Sequence, residues 1–182
     1  MRLVILASGV GSLARALFEA QAAGKLRAHI AALGSDRDCP AVQIAKEFGV
    51  ATFVVPITER EHWDRALTQT VALFKPDLVV SAGFMRILGP SFLARFQAIN
   101  SHPALLPAFP GAHAVRDALA ARVETTGCTV HWIDAGTDTG RVIAQAQVPV
   151  QPGDTVATLH ERIKAVERPL LVDTINSLQQ VG

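Results

Sequence analysis

Over its first hundred residues the chain repeats one unit: a short apolar run, a turn rich in glycine or proline, then apolar positions three and four apart. The runs at 2–7, 28–33, 52–55 and 77–82 are too short for helices and too uniformly apolar for half-exposed strands. They predict strands buried on both faces, as in a parallel sheet. After the first run, Leu13, Ala16, Leu17 and Ala20 share one side of a helix that Gly24 ends. Residues 34–36 close the second strand, and Pro40 opens a helix to Phe48 with Gly49 as its stop. Thr58, with Glu61 three residues on, predicts a capping box for a helix reaching about Lys75. Strand–helix alternation of this kind predicts an α/β fold: an open, mostly parallel, Rossmann-like sheet with helices on both faces.

Beyond residue 100 the texture changes. A helix over about 113–121 precedes two partly alternating runs at 128–133 and 142–148. Their short separation predicts a C-terminal antiparallel strand pair. From Gly153-Asp154-Thr155 a long C-terminal helix begins, with Val156, Leu159, Ile163, Val166 and Leu170 at helical spacing and a kink expected at Pro169. At 182 residues the pattern fits a single domain with a sizeable core.

Composition narrows the function classes. The chain is 49% hydrophobic but only 5% aromatic, so its core must be built mainly from Ala, Val, Leu and Ile. A formal net charge of +1 without a basic block argues against a dedicated nucleic-acid protein. Two cysteines, Cys39 and Cys128, suit a reducing compartment. No window approaches a membrane span, and the opening apolar run is too short for a signal peptide. The expectation is a cytoplasmic protein with small-molecule partners, neither nucleic acid nor membrane, working as a monomer or weak homodimer.

Ligands of open parallel sheets bind beyond the carboxyl ends of the strands, and four informative stretches fall there. Gly9-Val10-Gly11-Ser12-Leu13-Ala14 matches G-x-G-x-x-A, with free N–H groups that attract phosphate. For a dinucleotide an acid should end the second strand, and Asp36 lies near that place. Gly83-Phe84-Met85-Arg86-Ile87-Leu88 reads either as ordinary loop packing or as a wall for a flat aromatic ligand. Asn100-Ser101-His102-Pro103 puts an amide and an imidazole on one side of an extended segment, and Pro103, Pro107 and Pro110 stiffen the loop from 103 to 111. Such a pair suits a developing negative charge, and a proline-rich surface loop is the plain alternative. The loop 134–140 carries Asp134 and Asp138 without the regular spacing of a calcium loop. Asp138 gains meaning if the fold brings it to His102, where it would favour imidazolium. No metal spacing, G-x-S-x-G elbow or P-loop lysine is present.

Taken in order and spacing, Ser8-Gly9-Val10-Gly11-Ser12, 82–88, Asn100 to Pro107, and the stretch from Gly127 to Asp138-Thr139-Gly140 resemble the folate-dependent formyltransferases over nearly the whole chain. Pro103 after the histidine is similar to the purine-synthesis branch, since related branches usually carry Gly there, and branches with an extra N- or C-terminal domain are not expected. The resemblance implies formyl transfer from 10-formyltetrahydrofolate, as co-substrate and without a metal, to the amine of glycinamide ribonucleotide. It implies catalytic roles for Asn100, His102 and Asp138, and ribotide-phosphate binding by Gly11, Ser12, Leu13 and Glu167. Arg60, Met85, Arg86, Ile87, Leu88, Ile133, Asp134 and Asp138 would hold the folate. Residues 1–100 would then be mainly the ribotide half, and 101–182 the folate and catalytic half. Leu13, Ala135, Gly136, Thr137 and Arg168-Pro169 depart from the usual residues, around the substrates rather than at Asn100 and His102. Two alternatives remain: a formyltransferase for another phosphorylated amine such as an amino-sugar nucleotide, and a dinucleotide-binding protein.

Overall fold

The computed structural model describes residues 1–179. Seven strands form one sheet in the order β3-β2-β1-β4-β5-β6-β7. These are β1 (Arg2–Leu6), β2 (His29–Ser35), β3 (Ala51–Val54), β4 (Leu78–Ser81), β5 (Ala98–His102), β6 (Thr125–Trp132) and β7 (Val142–Pro149). The first five pair in parallel, and β5–β6 and β6–β7 are antiparallel. The helices are α1 (Ser12–Ala22), α2 (Pro40–Glu47), α3 (Arg60–Ala72), the single turn α4 (Pro90–Leu93), α5 (Ala114–Ala120) and α6 (Val156–Leu178). The mostly parallel sheet, antiparallel pair and long final helix agree with the pattern of the sequence. Among the described residues no helix is long and apolar enough to cross a membrane.

Strand parity sorts the core onto two faces. Leu3, Ile5, Val80 and Ile99 pack against α1, α2 and the end of α6. Val4, Leu6, Val79 and Ala98 pack against Trp63 and Leu67 of α3 and Phe92 of α4. A third cluster joins Val115 of α5, Cys128, Val148, Leu159 and Ile163. Cys39 and Cys128 are free thiols, and burial pushes the Cys128 thiol up to about 12, helped by the nearby Glu167.

Several details differ from the sequence pattern. Glu59, not Thr58, caps α3: its carboxylate accepts from the N–H groups of Glu61 and His62 at 3.2 Å, while the Thr58 hydroxyl is spent on the Glu59 carbonyl. A carboxylate at a helix start also meets the positive end of the dipole. The helix stops at Ala72, and Lys75 turns the chain out with φ 47. β2 runs on through Gly34 and Ser35 because both pair with β3. β6 begins at Thr125 and β7 reaches Pro149, since their ladder is longer than the apolar runs. On α1, Ala14 and Phe18 are buried and Ala16 is half-buried. On α6, Val156 is exposed while Glu167 is buried, and the helix continues through the exposed Pro169.

Candidate active site

A cavity of about 610 Å³ opens over the carboxyl ends of β1, β4 and β5, where the strand order reverses between β1 and β4. The first wall is the turn into α1. Gly11 is the N-cap residue with φ 74, and a Cβ there would sit 2.7 Å from the Ala41 Cα. Only glycine takes this conformation with that neighbour. No side chain caps α1, so its first N–H groups face the cavity beside Ser12. Free donors at the positive end of a helix dipole suit an anion. Leu13 is 7% exposed and packs into the core, so it contributes backbone rather than side chain.

The opposite wall is the loop after β4. Met85 and Ile87 are 65% and 48% exposed, whereas Phe84 and Leu88 are buried against α3 and α4. Met85 N–H donates to Ser8 Oγ at 3.0 Å, tying this loop to the end of β1. Arg86 stands in the same wall and donates from Nε to Asp36 at 2.8 Å. Ile133 and Asp134 line this side too, and the Thr139 hydroxyl and Gly136 N–H hold the exposed Asp134 carboxyl below the ordinary carboxylate range. Arg60 does not line the cavity: it is exposed at the first turn of α3.

Between the walls stands β5. Its alternation places Asn100 and His102 on the α3/α4 side and Ser101 on the α1/α6 side. Asp138 reaches the first pair. Its Oδ2 lies 3.3 Å from His102 Nδ1 and accepts from Gly111 N–H at 2.8 Å. Its Oδ1 lies 3.4 Å from both Asn100 Nδ2 and His131 Nε2. Hydrogen bonding to His131 lowers the Asp138 carboxyl, against burial, and the Gly111 amide and the two imidazoles add to it, bringing it to about 2. His102 Nε2 faces the Phe109 carbonyl at 2.8 Å, so both its ring nitrogens look at acceptors. Phe109 and Asp138 both sit in the left-handed region, with φ 54 and 55. Such conformations cost about 1–3 kcal/mol each and persist only where the surroundings impose them.

His131 joins this cluster although the sequence pattern does not single it out. It pairs directly with Asn100 across the β5–β6 ladder, is 2% exposed, and has Nε2 3.2 Å from Asn100 Nδ2. Its Nδ1 faces the Trp132 carbonyl at 2.8 Å, so the proton is on that nitrogen, and Nε2 faces both the Asn100 amide and Asp138 Oδ1. A signal exists all the same: antiparallel pairing of 128–133 with 98–102 sets residue 131 opposite 100. The segment after His102 is held by more than proline. The Thr129 hydroxyl donates to Ala104 O and accepts from Leu106 N–H and Gln145 Nε2.

On the other side of β5, Ser101 Oγ donates to Glu167 Oε1 at 2.6 Å. Glu167 lines the cavity from α6 and is 6% exposed. Burial raises its carboxyl above the ordinary range, with the Ser101 bond opposing. Among the described residues no group of three or more His, Cys, Asp or Glu could hold a metal ion.

A helix start without a side-chain cap, an apolar wall and a strand-borne Asn–His pair on one carboxylate meet at one cavity, and transfer at a polarised carbonyl is chemistry that such groups can serve. The family model described as formyl transferase matches residues 1–175, and the chain belongs to that family. It is 56% identical over 186 residues to the phosphoribosylglycinamide formyltransferase of Mycobacterium tuberculosis, covering 100% of this chain and 86% of that protein. It is 36% identical to the Escherichia coli protein of the same name, covering 93% of this chain and 83% of that one. The crystal structure of glycinamide ribonucleotide transformylase 1 from Symbiobacterium toebii matches with a TM-score of 0.93 and 38% identity, over 96% of this chain and 85% of that chain.

Proposed function

We propose that this formyl transferase moves the formyl group of 10-formyltetrahydrofolate to the amine of glycinamide ribonucleotide. The observation that carries the reading is the meeting of Asn100, His102 and Asp138 at the end of β5, between a free helix N-terminus and an apolar wall. Relatives named for this reaction supply the substrate, and the two walls supply a place for each half of it.

The ribotide phosphate lies on the Gly11, Ser12 and Leu13 amides, with Glu167 near the rest of that substrate. The folate lies along Met85, Arg86, Ile87 and Leu88 and against Ile133, Asp134 and Asp138. Arg60 has no place in this arrangement except at the outer end of the folate. The ribotide and folate sides follow the two faces of the sheet more closely than the two halves of the chain: Arg86 and Glu167 each lie in the half opposite to their substrate.

In the reaction the amine nitrogen attacks the formyl carbon, and the carbonyl oxygen becomes an oxyanion. Asn100 Nδ2 and His102 donate to that oxygen, and such a donor is typically worth about 10²–10³ in rate. In the free protein His102 Nε2–H is spent on the Phe109 carbonyl, so donation exchanges that acceptor for the oxyanion. As the intermediate collapses, the bond to folate N10 breaks, the attacking nitrogen gives up a proton and N10 receives one. Asp138, facing His102 Nδ1 at 3.3 Å, holds the imidazole in place and passes the proton, directly or through water.

The test is turnover of purified protein with 10-formyltetrahydrofolate and glycinamide ribonucleotide, against an amino-sugar nucleotide. Formylation of the ribotide, abolished in His102→Ala, is expected. No turnover of the ribotide would reject the reading.

A further inference from the structure

Asp36 lies just past the end of β2 and outside the lining of the cavity, yet it is tied to one of its walls. Its side chain is 1% exposed. One oxygen, Oδ2, accepts from Arg37 Nε at 3.2 Å, Arg37 Nη2 at 2.8 Å and Arg86 Nε at 2.8 Å. Burial pushes the carboxyl up, but the Arg37, Ser8 and Arg86 hydrogen bonds outweigh it and hold Asp36 at about 2. Ser8 also accepts from Met85 N–H, so both ends of the 85–86 segment are fixed to the ends of β1 and β2. Asp36 engages Arg86 only through Nε. Among the described residues neither Nη of Arg86 makes a hydrogen bond within the protein, and the side chain keeps 37% exposure in the cavity wall.

We propose that Asp36 is a positioning residue for the formyl-donor side of the cavity: by clamping Arg86 at Nε it presents the two Nη groups to the bound donor. The proposal rests on the donor site described above. It also gives Asp36 a use different from binding a ribose hydroxyl, because Oδ2 is taken by two guanidiniums and Oδ1, which has no hydrogen-bond partner, is buried out of reach of a dinucleotide.

Charge and position predict opposite signs. Asp36→Asn removes the only negative charge of the cluster and keeps both guanidiniums. If charge alone mattered, an anionic folate would bind more tightly. If Asp36 positions Arg86, the donor binds more weakly although the site has become more positive. The experiment is direct titration of each substrate, with steady-state kinetics beside it. Asp36→Asn is expected to raise Kd and KM for 10-formyltetrahydrofolate about tenfold, the scale of one lost charge-assisted hydrogen bond. The Kd for the ribotide and kcat should stay within about threefold of the parent. Arg86→Lys should weaken the donor similarly, and the double variant should be no worse than the weaker single, because the two act as one unit.

Unchanged or tighter donor binding in Asp36→Asn would overturn the proposal, as would full additivity. Should Asp36→Asn fail to fold by circular dichroism, Arg86→Lys decides: unchanged donor affinity overturns the proposal. A parent protein that binds the donor and loses affinity in the variants, yet never formylates the ribotide, would keep this inference and reject the proposed reaction. A parent that binds no folate at all would reject both.

Discussion

Asp138 and Glu167 face one cavity from opposite sides of β5, and their surroundings drive them in opposite directions. Asp138, with its side chain 12% exposed, meets two imidazoles, an amide and a backbone N–H. Glu167 is similarly enclosed but has one hydroxyl. The first carboxyl is pulled down to about 2, and the second is pushed up. Burial disfavours the charged form of both; the donors around Asp138 outweigh it, whereas the Ser101 hydroxyl and the Lys164 and Arg168 charges do not outweigh it at Glu167. The face with His102 therefore holds a fixed negative charge that organises two rings. The face with α1 and α6 holds a carboxyl whose neutral form burial favours, on the side proposed for the ribotide.

The sharpest way to break this contrast is to neutralise Asp138. Asn tolerates the left-handed backbone there better than most residues, so Asp138→Asn should fold normally. The amide no longer offers His102 a negative charge, and kcat should fall about 10³-fold with the ribotide KM little changed. Kinetics equal to the parent would remove Asp138 from the chemistry.

Next in size is Asn100→Ala. It deletes one of the two donors proposed for the developing oxyanion and leaves His131 Nε2 without its amide partner. A loss of about 10²-fold in kcat is expected. A change confined to KM would mean that Asn100 binds ground state and transition state alike.

On the other side of β5, Gly11→Ala tests the helix N-terminus. The substitution forces a side chain into φ 74 against Ala41. A destabilisation of about 1–3 kcal/mol is expected from the backbone alone. The Kd for the ribotide should rise while that for the folate holds. Weakening of the folate alone would misplace the phosphate.

These two faces are unequally legible in the sequence. The opening strands, the turn into α1 and the Asn100–His102 spacing carry strong local signals, namely continuous apolar runs, glycine at a left-handed turn and period-two alternation. The link between Asp138 and His102 is legible only as a condition, because it depends on how β6 and β7 pack beside β5. His131 stays hidden because its meaning comes from register: nothing local marks a histidine within an apolar strand until the ladder sets it opposite Asn100. Thr58 and Glu59 can both cap, and only geometry shows that Glu59 is the one reaching the free N–H groups. Asp36 reads as a loose dinucleotide acid because its partner Arg86 lies 50 residues away.

The smallest expected effect is the one that tests the sign of the comparison. An acid lowered in the folded state adds stability above its unfolded value and loses it as pH falls. For Asp138 that loss runs from the ordinary 3.8 down through about 2. An acid raised in the folded state behaves in reverse: the stability of its neutral form is complete below the ordinary 4.5 and declines as pH rises through the raised value. Glu167→Gln cannot ionise and still offers an oxygen to Ser101. Its Tm should match the parent well below the ordinary carboxylate range and exceed it at about pH 8, because burial of the titratable carboxyl outweighs the Ser101 bond and the Lys164 and Arg168 charges. Asp138→Asn should give the opposite profile, with its deficit largest near neutral pH and vanishing in acid. A Glu167→Gln variant less stable than the parent at about pH 8 would mean that the buried carboxylate is stabilised as an anion, and the contrast between the two sides would collapse.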